Sequence, residues 1–266
     1  MVRCEMVQQP DGPLLMQLSS NLVRIGRRPP PACAITEMAN WHHVVFAGHR
    51  CVVGWSREAA VPLDLSERWF AWVMGRTARH YDGLLADRKR SLLSEAGGTV
   101  VEIGPGTGTN FQYYSRNIHW IGAEPNRYMH PYLRRAAEVA GFPIEVLPSR
   151  AENLNLPDES ADAVVATAVL CSVDDPHKAL QEVRRVLKPG GRFIFVEHVA
   201  AKRGTSLRRI QRIIQPFWSR IADGCHPDRD TGELIAQAGL RPLVLDGFRL
   251  PLGPVAPHIA GVAVRQ

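Results

Sequence analysis

The stretch VVEIGPGTGTN, Val100–Asn110, is an apolar run that ends in an acid and breaks into three glycines spaced two apart. Glycines directly after a strand-like run remove side chains from a turn, so that a ligand can approach main-chain N–H groups at the mouth of a helix. The run therefore reads as a strand of an α/β sheet followed by a ligand-binding turn.

Beyond it the hydrophobic period switches regularly. Short apolar runs at Thr99–Ile103, His119–Glu124, Ile144–Ser149, Ala161–Thr167 and Arg192–His198 alternate with helix-like segments. This is the order that a parallel sheet with crossover helices requires. A helix near Asp228–Ala238 and strands near Leu240–Phe248 and Pro257–Arg265 complete the pattern. The expected fold is α/β, a doubly wound, mostly parallel, seven-stranded sheet whose last two strands pair as a hairpin and give it an antiparallel edge. One domain is expected over residues 66–266, opened by the amphipathic helical segment LSERWFAWVMGRTARHYDGLLADRKRSLL. Residues 1–65 show no sustained period of 2 or 3.6 and are expected to be disordered or weakly structured. Cys33, His42, His43, His49 and Cys51 in that part are of metal-ligand type, but their spacings match no zinc module. Met74 is available as an internal start, on which reading the upstream part is an over-extended frame.

Composition excludes several classes. With 45% hydrophobic residues in 266, the chain can bury a full α/β core. Thirty-two Lys+Arg against 26 Asp+Glu gives +6, a diffuse excess that commits to no acidic partner. Five cysteines, odd in number and without close pairing, argue against a disulfide framework and for a reducing compartment. No window approaches the length of apolar chain that spans a bilayer, and no signal-peptide pattern opens the sequence, so a cytoplasmic protein is expected.

The glycine spacing narrows the ligand. A dinucleotide fingerprint places its third glycine three residues after the second, whereas Gly104, Gly106 and Gly108 are spaced two and two, with Thr at 109. Glu102 precedes the loop, and Glu124 ends the next strand. This set suits S-adenosylmethionine, whose carboxylate can meet loop N–H groups while Glu124 accepts from both ribose hydroxyls.

Further on, LPDESADAVVATAVLCSVDDPHKALQEVRRVLKPGGRFIFVEHV (Leu156–Val199) resembles the class I S-adenosylmethionine-dependent methyltransferases in its fourth strand, helix and RVLKPGG turn into the fifth strand. More narrowly, GTGTNFQYY, AVLCSV, EHVAA, FWSRIADGC and PHIAGVAV resemble segments of the methyltransferase-like thiol methyltransferases, membrane-associated enzymes that methylate alkyl thiols. The resemblance covers about Arg76 to Val264. It stops short of the N-terminus, where those relatives carry a hydrophobic anchor and this sequence shows no such run. It implies cofactor contacts from Glu102, Gly104, Gly106, Gly108, Asn110 and Glu124, with Thr167 and Leu170 facing the methionine end. Where many class I enzymes place an acid for the adenine amino group, SRAEN puts Arg150 before Ala151 and Glu152. Adenine recognition then falls to Ala151 and Glu152, or to a backbone carbonyl.

Methyl transfer from a sulfonium needs alignment and exclusion of water, and no metal is expected. A thiol, with a reference pKa of about 8.5, needs at most one base. His198, after the fifth strand, is the candidate base, or else a histidine bonded to a neighbouring backbone group. His258 and Cys225 rank behind it, and Cys171 reads as a small packing residue. AAKRGTSLRRIQRIIQPFWSRIADGC carries no acid between Ala200 and Ala222, and Leu207, Ile210, Ile214, Phe217 and Ile221 recur at helical steps. It reads as a basic amphipathic helix inserted at about 203–224, either packed on the domain or making peripheral membrane contact through residues 205–222, with Pro216 as a kink or break. The leading expectation is a methyltransferase acting on a small-molecule acceptor, most simply an alkyl thiol. The alternatives are an N- or O-methyltransferase of a lipid head group or secondary metabolite and, from another class, a nucleic-acid-binding protein or RNA methyltransferase. Nothing supports the last: no NPPY-type motif, no appended RNA-binding module and no aromatic–basic alternation are present.

Overall fold

The computed structural model describes residues 65–266 in full and, before them, the backbone of six short strands. The chain divides into two units, Met1–Leu63 and Asp64–Gln266. In the first, strands at Cys4–Gln8, Leu14–Leu18, Asn21–Gly26, Thr36–Met38, Trp41–Phe46 and His49–Gly54 join in one sheet. The side chains of that unit, including Cys33, His42, His43, His49 and Cys51, lie outside the described residues, as does the expectation of a weakly packed segment.

The second unit is built on seven strands: β1 (Gly98–Ile103), β2 (Ile118–Ala123), β3 (Glu145–Leu147), β4 (Ala161–Thr167), β5 (Leu187–His198), β6 (Leu240–Arg249) and β7 (Pro257–Arg265). Their order across the sheet is β6-β7-β5-β4-β1-β2-β3. From β5 to β3 the strands run parallel. β7 runs antiparallel to both β5 and β6, so the C-terminal hairpin forms the antiparallel margin of a doubly wound sheet. Sequence order reverses between β4 and β1, which places the ligand crevice of an open α/β sheet at the carboxyl ends of those two strands.

Helices cover the sheet. They are α1 (Leu65–Leu93), α2 (His130–Ala140), α3 (Pro176–Val186), α4 (Ser206–Ile221) and α5 (Thr231–Gln237). The central strands are apolar on both sides, as a doubly covered sheet demands. Val101, Ile103, Val164, Ala166, Phe193 and Phe195 enter one core with α3 and α5, while Val100, Val165, Ile194 and Trp120 enter a second with α2. α3 begins where the Asp175 carboxylate accepts from the N–H groups of His177 and Lys178, with Pro176 at its first turn. α4 runs through Pro216 as a single helix, neither split nor ended by it. Its one fully buried side chain is polar. Gln211 accepts from Ala201 N (2.7 Å) and donates to the carbonyls of Pro254 (2.8 Å) and Val199 (3.3 Å). The helix is therefore fixed by an amide anchor, and of the expected apolar stripe Ile210, Phe217 and Ile221 face outward.

Candidate active site

At the β4/β1 reversal lies a cavity of about 350 Å³. Its floor is the turn after β1 and the ends of β2 and β4, and Phe70, Met74, Ala78 and Tyr81 of α1 close one side. The turn needs bare Cα atoms for two separate reasons. Gly104 has φ +57°, and a Cβ there would meet Val169 Cγ2 at 2.7 Å. Gly106 has φ +54° with nothing nearer than a backbone oxygen at 4.0 Å. Its surface is bare backbone facing open space, where a ligand can lie against N–H groups.

Two buried carboxylates hold this turn in shape. Glu102 accepts from Asn110 Nδ2 (2.8 Å), Tyr114 Oη (2.7 Å) and Trp120 Nε1 (3.0 Å). Burial raises its pKa, while those three donors hold it down. Asn110 Nδ2 also donates to Thr167 Oγ1 (3.1 Å), tying the turn to the end of β4. Glu124 accepts from Gly106 N and Asn126 N, both at 2.9 Å. Burial pushes its carboxyl up to about 7 against those two N–H donors. At the far side Glu152 accepts from Asp174 N (2.8 Å) and pairs with Arg150 (3.4 Å), which also reaches Asp174 (2.7 Å). Arg150 thus faces acids of its own chain beside the expected adenine position.

The cavity brings together eight of the ten residues expected to contact the cofactor: Glu102, Gly104, Gly106, Asn110, Glu124, Ala151, Glu152 and Thr167. Gly108 and Leu170 are not on its lining. Gly108 packs instead, since a Cβ there would meet the Phe111 ring at 2.7 Å. Leu170 is fully buried in the core, its N–H on Glu197 Oε1 at 3.1 Å. S-adenosylmethionine fits what is present. Asn110 Oδ1 is buried with no partner, an acceptor suited to an ammonium, and Glu124 offers acceptors at the end of β2, where a ribose would be met.

The sequence reading missed the α1 wall. Tyr81 lines the cavity and bonds His258 at 3.0 Å. His258 Nδ1 lies 2.9 Å from the Ala256 carbonyl, which can only accept. Nδ1 therefore carries the proton, and Nε2 accepts from the Tyr81 hydroxyl. Burial lowers the His258 pKa, keeping the imidazole neutral, and raises that of Tyr81, keeping the phenol protonated. The periodicity of α1 was legible, but not the strand end its face would meet. Beside the cavity, Lys89 and Asp82 form a buried ion pair (2.8 Å), and Asp82 also accepts from Gln112 (2.9 Å) and Tyr113 (2.8 Å).

His198, the candidate base, is buried behind the cavity wall, its Nε2 3.0 Å from Cys225 Sγ. It is not on the cavity lining. Cys171, read as a small packing residue, is buried and joins the same cluster of metal-ligand side-chain types.

Comparison with known proteins agrees with this geometry. A methyltransferase domain family matches residues 101–195, from β1 into β5. Thiol S-methyltransferase TMT1B of Rattus norvegicus is 38% identical over 215 residues, covering 76% of this chain and 88% of that protein. Thiol S-methyltransferase TMT1A of Homo sapiens is 35% identical over 214 residues, with the same coverage of 76% and 88%. Among solved structures, a methyltransferase in complex with the Haloferax volcanii Trm112 methyltransferase activator superposes with TM-score 0.58 at 19% identity, over 76% of this chain and 98% of that one. That likeness speaks for the fold alone. Identity above 30% across most of the relatives' length, together with the glycine turn, Glu124 and the cavity between β4 and β1, makes the chain an S-adenosylmethionine-dependent class I methyltransferase that belongs to the family of the thiol S-methyltransferases.

Proposed function

We propose that the methyl acceptor is a small alkyl thiol, received at the Tyr81–Ser172–Gly224 end of the cavity. The observation that carries this is the likeness to relatives named thiol S-methyltransferases, over 76% of this chain and 88% of theirs. Bound S-adenosylmethionine supplies an electrophilic methyl group on a sulfonium. The chain's own residues supply the rest. Glu124, Gly104, Gly106 and Asn110 hold and orient the cofactor, with Glu102 and Thr167 keeping Asn110 in place. Ala151 and Glu152 flank the adenine. Gly108 and Leu170 support the same walls from behind.

A thiol needs only to lose its proton. His198 is too deeply set to take that proton directly, whereas Tyr81 faces the cavity with a neutral His258 behind it. The proton passes to the Tyr81 oxygen as Tyr81 gives its own to His258 Nε2, leaving an imidazolium that donates to both Tyr81 and Ala256. The test is methyl-donor turnover against a panel of alkyl thiols, amines and phenols. Transfer to amines or phenols with none to any thiol removes the assignment and leaves the methyltransferase standing.

α4 supports peripheral membrane contact as part of the same reading. Ile210, Ile213, Phe217 and Ile221 are between 46% and 72% exposed on its outer face, with Arg209, Arg212 and Arg220 also exposed. An apolar stripe flanked by cations suits the interface of an anionic bilayer. Among the described residues no helix is long and apolar enough to cross a membrane.

A further inference from the structure

Behind the cavity wall made by Ser172 and Gly224, three soft ligand groups meet. Cys171, His198 and Cys225 offer ligand atoms that all lie within 4.8 Å of one another, and all three residues are buried. They come from separate elements: the turn after β4, the last residue of β5 and the loop after α4. A tetrahedral zinc ion, with bonds of about 2.3 Å to sulfur and about 2.0–2.1 Å to nitrogen, holds such donors about 3.5–3.8 Å apart. His198 Nε2 and Cys225 Sγ stand 3.0 Å apart, so closing the cluster on an ion asks for shifts of about 1 Å or less.

An N–H donor and a cation reach the sulfurs. Trp218 Nε1 donates to Cys225 Sγ at 3.2 Å. Arg229, anchored on the carbonyls of Leu170 (2.6 Å) and Val173 (2.8 Å), lies within electrostatic range of both cysteines. His198 Nδ1, the ring nitrogen turned away from Cys225, is buried with no partner. Soft thiolate and imidazole donors select zinc over hard cations.

We propose that Cys171, His198 and Cys225 bind a zinc-class metal ion whose fourth coordination position takes the sulfur of the methyl acceptor. Three protein ligands with one open position is the pattern of catalytic zinc, whereas structural sites are closed by four. Ser172 and Gly224, chain neighbours of Cys171 and Cys225, line the cavity, so the open position belongs on the cavity side. The step rests on the thiol reading above. The S–H bond of the acceptor breaks, a sulfur–metal bond forms, and the proton leaves through Tyr81 to His258. No redox change occurs, and the sulfur is held as an aligned thiolate.

The experiment is elemental analysis of the purified full chain in metal-free buffer, followed by cobalt(II) titration after chelation. About one zinc per chain is expected, and cobalt should give thiolate charge-transfer absorption with tetrahedral d–d bands. Both should fall by about tenfold or more in Cys171→Ser and Cys225→Ser. If those variants do not fold, the cobalt titration of the unaltered chain decides alone. A small alkyl thiol, added without cofactor, should shift the cobalt spectrum, and a dialkyl sulfide should not. Neither zinc nor a cobalt spectrum overturns the site. A bound ion whose spectrum alkyl thiols leave unchanged overturns the fourth-ligand role. Metal bound and thiol-responsive, but with no thiol methylated at turnover, supports the site and counts against the transfer reading instead.

Discussion

Cofactor affinity should carry the titration of one buried carboxyl. Glu124 is ionised only above about 7, because burial works against the two N–H donors from Gly106 and Asn126. Only the ionised form can accept from two ribose hydroxyls. Its population falls tenfold for each pH unit below that value, so the dissociation constant should rise about tenfold per unit below 7 and level off near 8. Glu124→Gln keeps the shape and removes the charge. It should weaken binding at pH 8 by about 1.5–3 kcal/mol, or about 10- to 150-fold, and flatten the profile. Titration calorimetry with S-adenosylhomocysteine between about pH 5.5 and 8.5 reads both, and the ligand's own α-amino group, titrating near 7.7–8.0, is common to the two proteins and cancels in their difference. The sign for stability is opposite. A carboxyl raised from 4.5 to about 7 favours the folded state below pH 4.5, and that contribution is lost as pH rises through 7. Relative to Glu124→Gln, the unliganded protein should therefore lose about 3 kcal/mol across this window. A flat affinity profile for the unaltered protein, or unchanged affinity in a folded Gln variant, would remove Glu124 from the ribose.

Lys89→Ala leaves Asp82 buried and unpaired and should cost about 3–5 kcal/mol in chemical denaturation, whereas Lys89→Met combined with Asp82→Asn should cost markedly less; equal costs would refute a coupled pair. Tyr81→Phe and His258→Gln should each lower thiol turnover at neutral pH by about 10²-fold, with recovery as pH rises and free thiolate increases; a profile that keeps its shape would leave both as structural residues. A chain begun at Asp64 should keep fold and cofactor binding, while one begun at Met74 loses Glu67 and Phe70 from the cavity and should bind more weakly; calorimetry on the two separates them. Ile213→Glu with Phe217→Glu should release the protein from anionic vesicles in a flotation assay without altering its melting temperature, since both side chains face outward; retention on the vesicles would clear α4 of that contact.

The sheet was legible where burial on both faces forced continuous apolar runs. Ala161–Thr167 and Pro257–Arg265 coincide with the bounds of β4 and β7. The run Ile144–Ser149 shrank to Glu145–Leu147, because an edge strand flanked by Pro143 and Pro148 has one neighbour and few donors to pair. β5 starts at Leu187 rather than Arg192, since Leu187 already pairs with Ala161 across a bulge. The cofactor turn was legible because glycine spacing and an acid at a strand end are local patterns. The acceptor end was not. Cys171, His198 and Cys225 are 27 residues apart at each step, and no local rule joins a turn, a strand end and a loop. Tyr81 was hidden for the same reason, its partner His258 lying 177 residues away. The period of α4 left open whether its apolar residues pack on the domain or face outward, because only the buried amide of Gln211, with half-buried Leu207, Ile214 and Trp218 beside it, shows which side docks.

β7 lies between β5 and β6, and its His258 stands opposite His198 in the antiparallel register. Translation therefore delivers the parts in an uneven order. By residue 198 the ribosome has made every strand that surrounds the glycine turn, yet the strand that seals the sheet and completes the acceptor end is made only after β6. Until it inserts, β5 shows an unpaired edge, and β6 has no strand to pair with among the described residues. An exposed edge of that length is a template for joining another copy. A chain stopped before Pro257 should consequently yield insoluble protein, and its pellet fraction reports directly on how much of the solubility rests on β7.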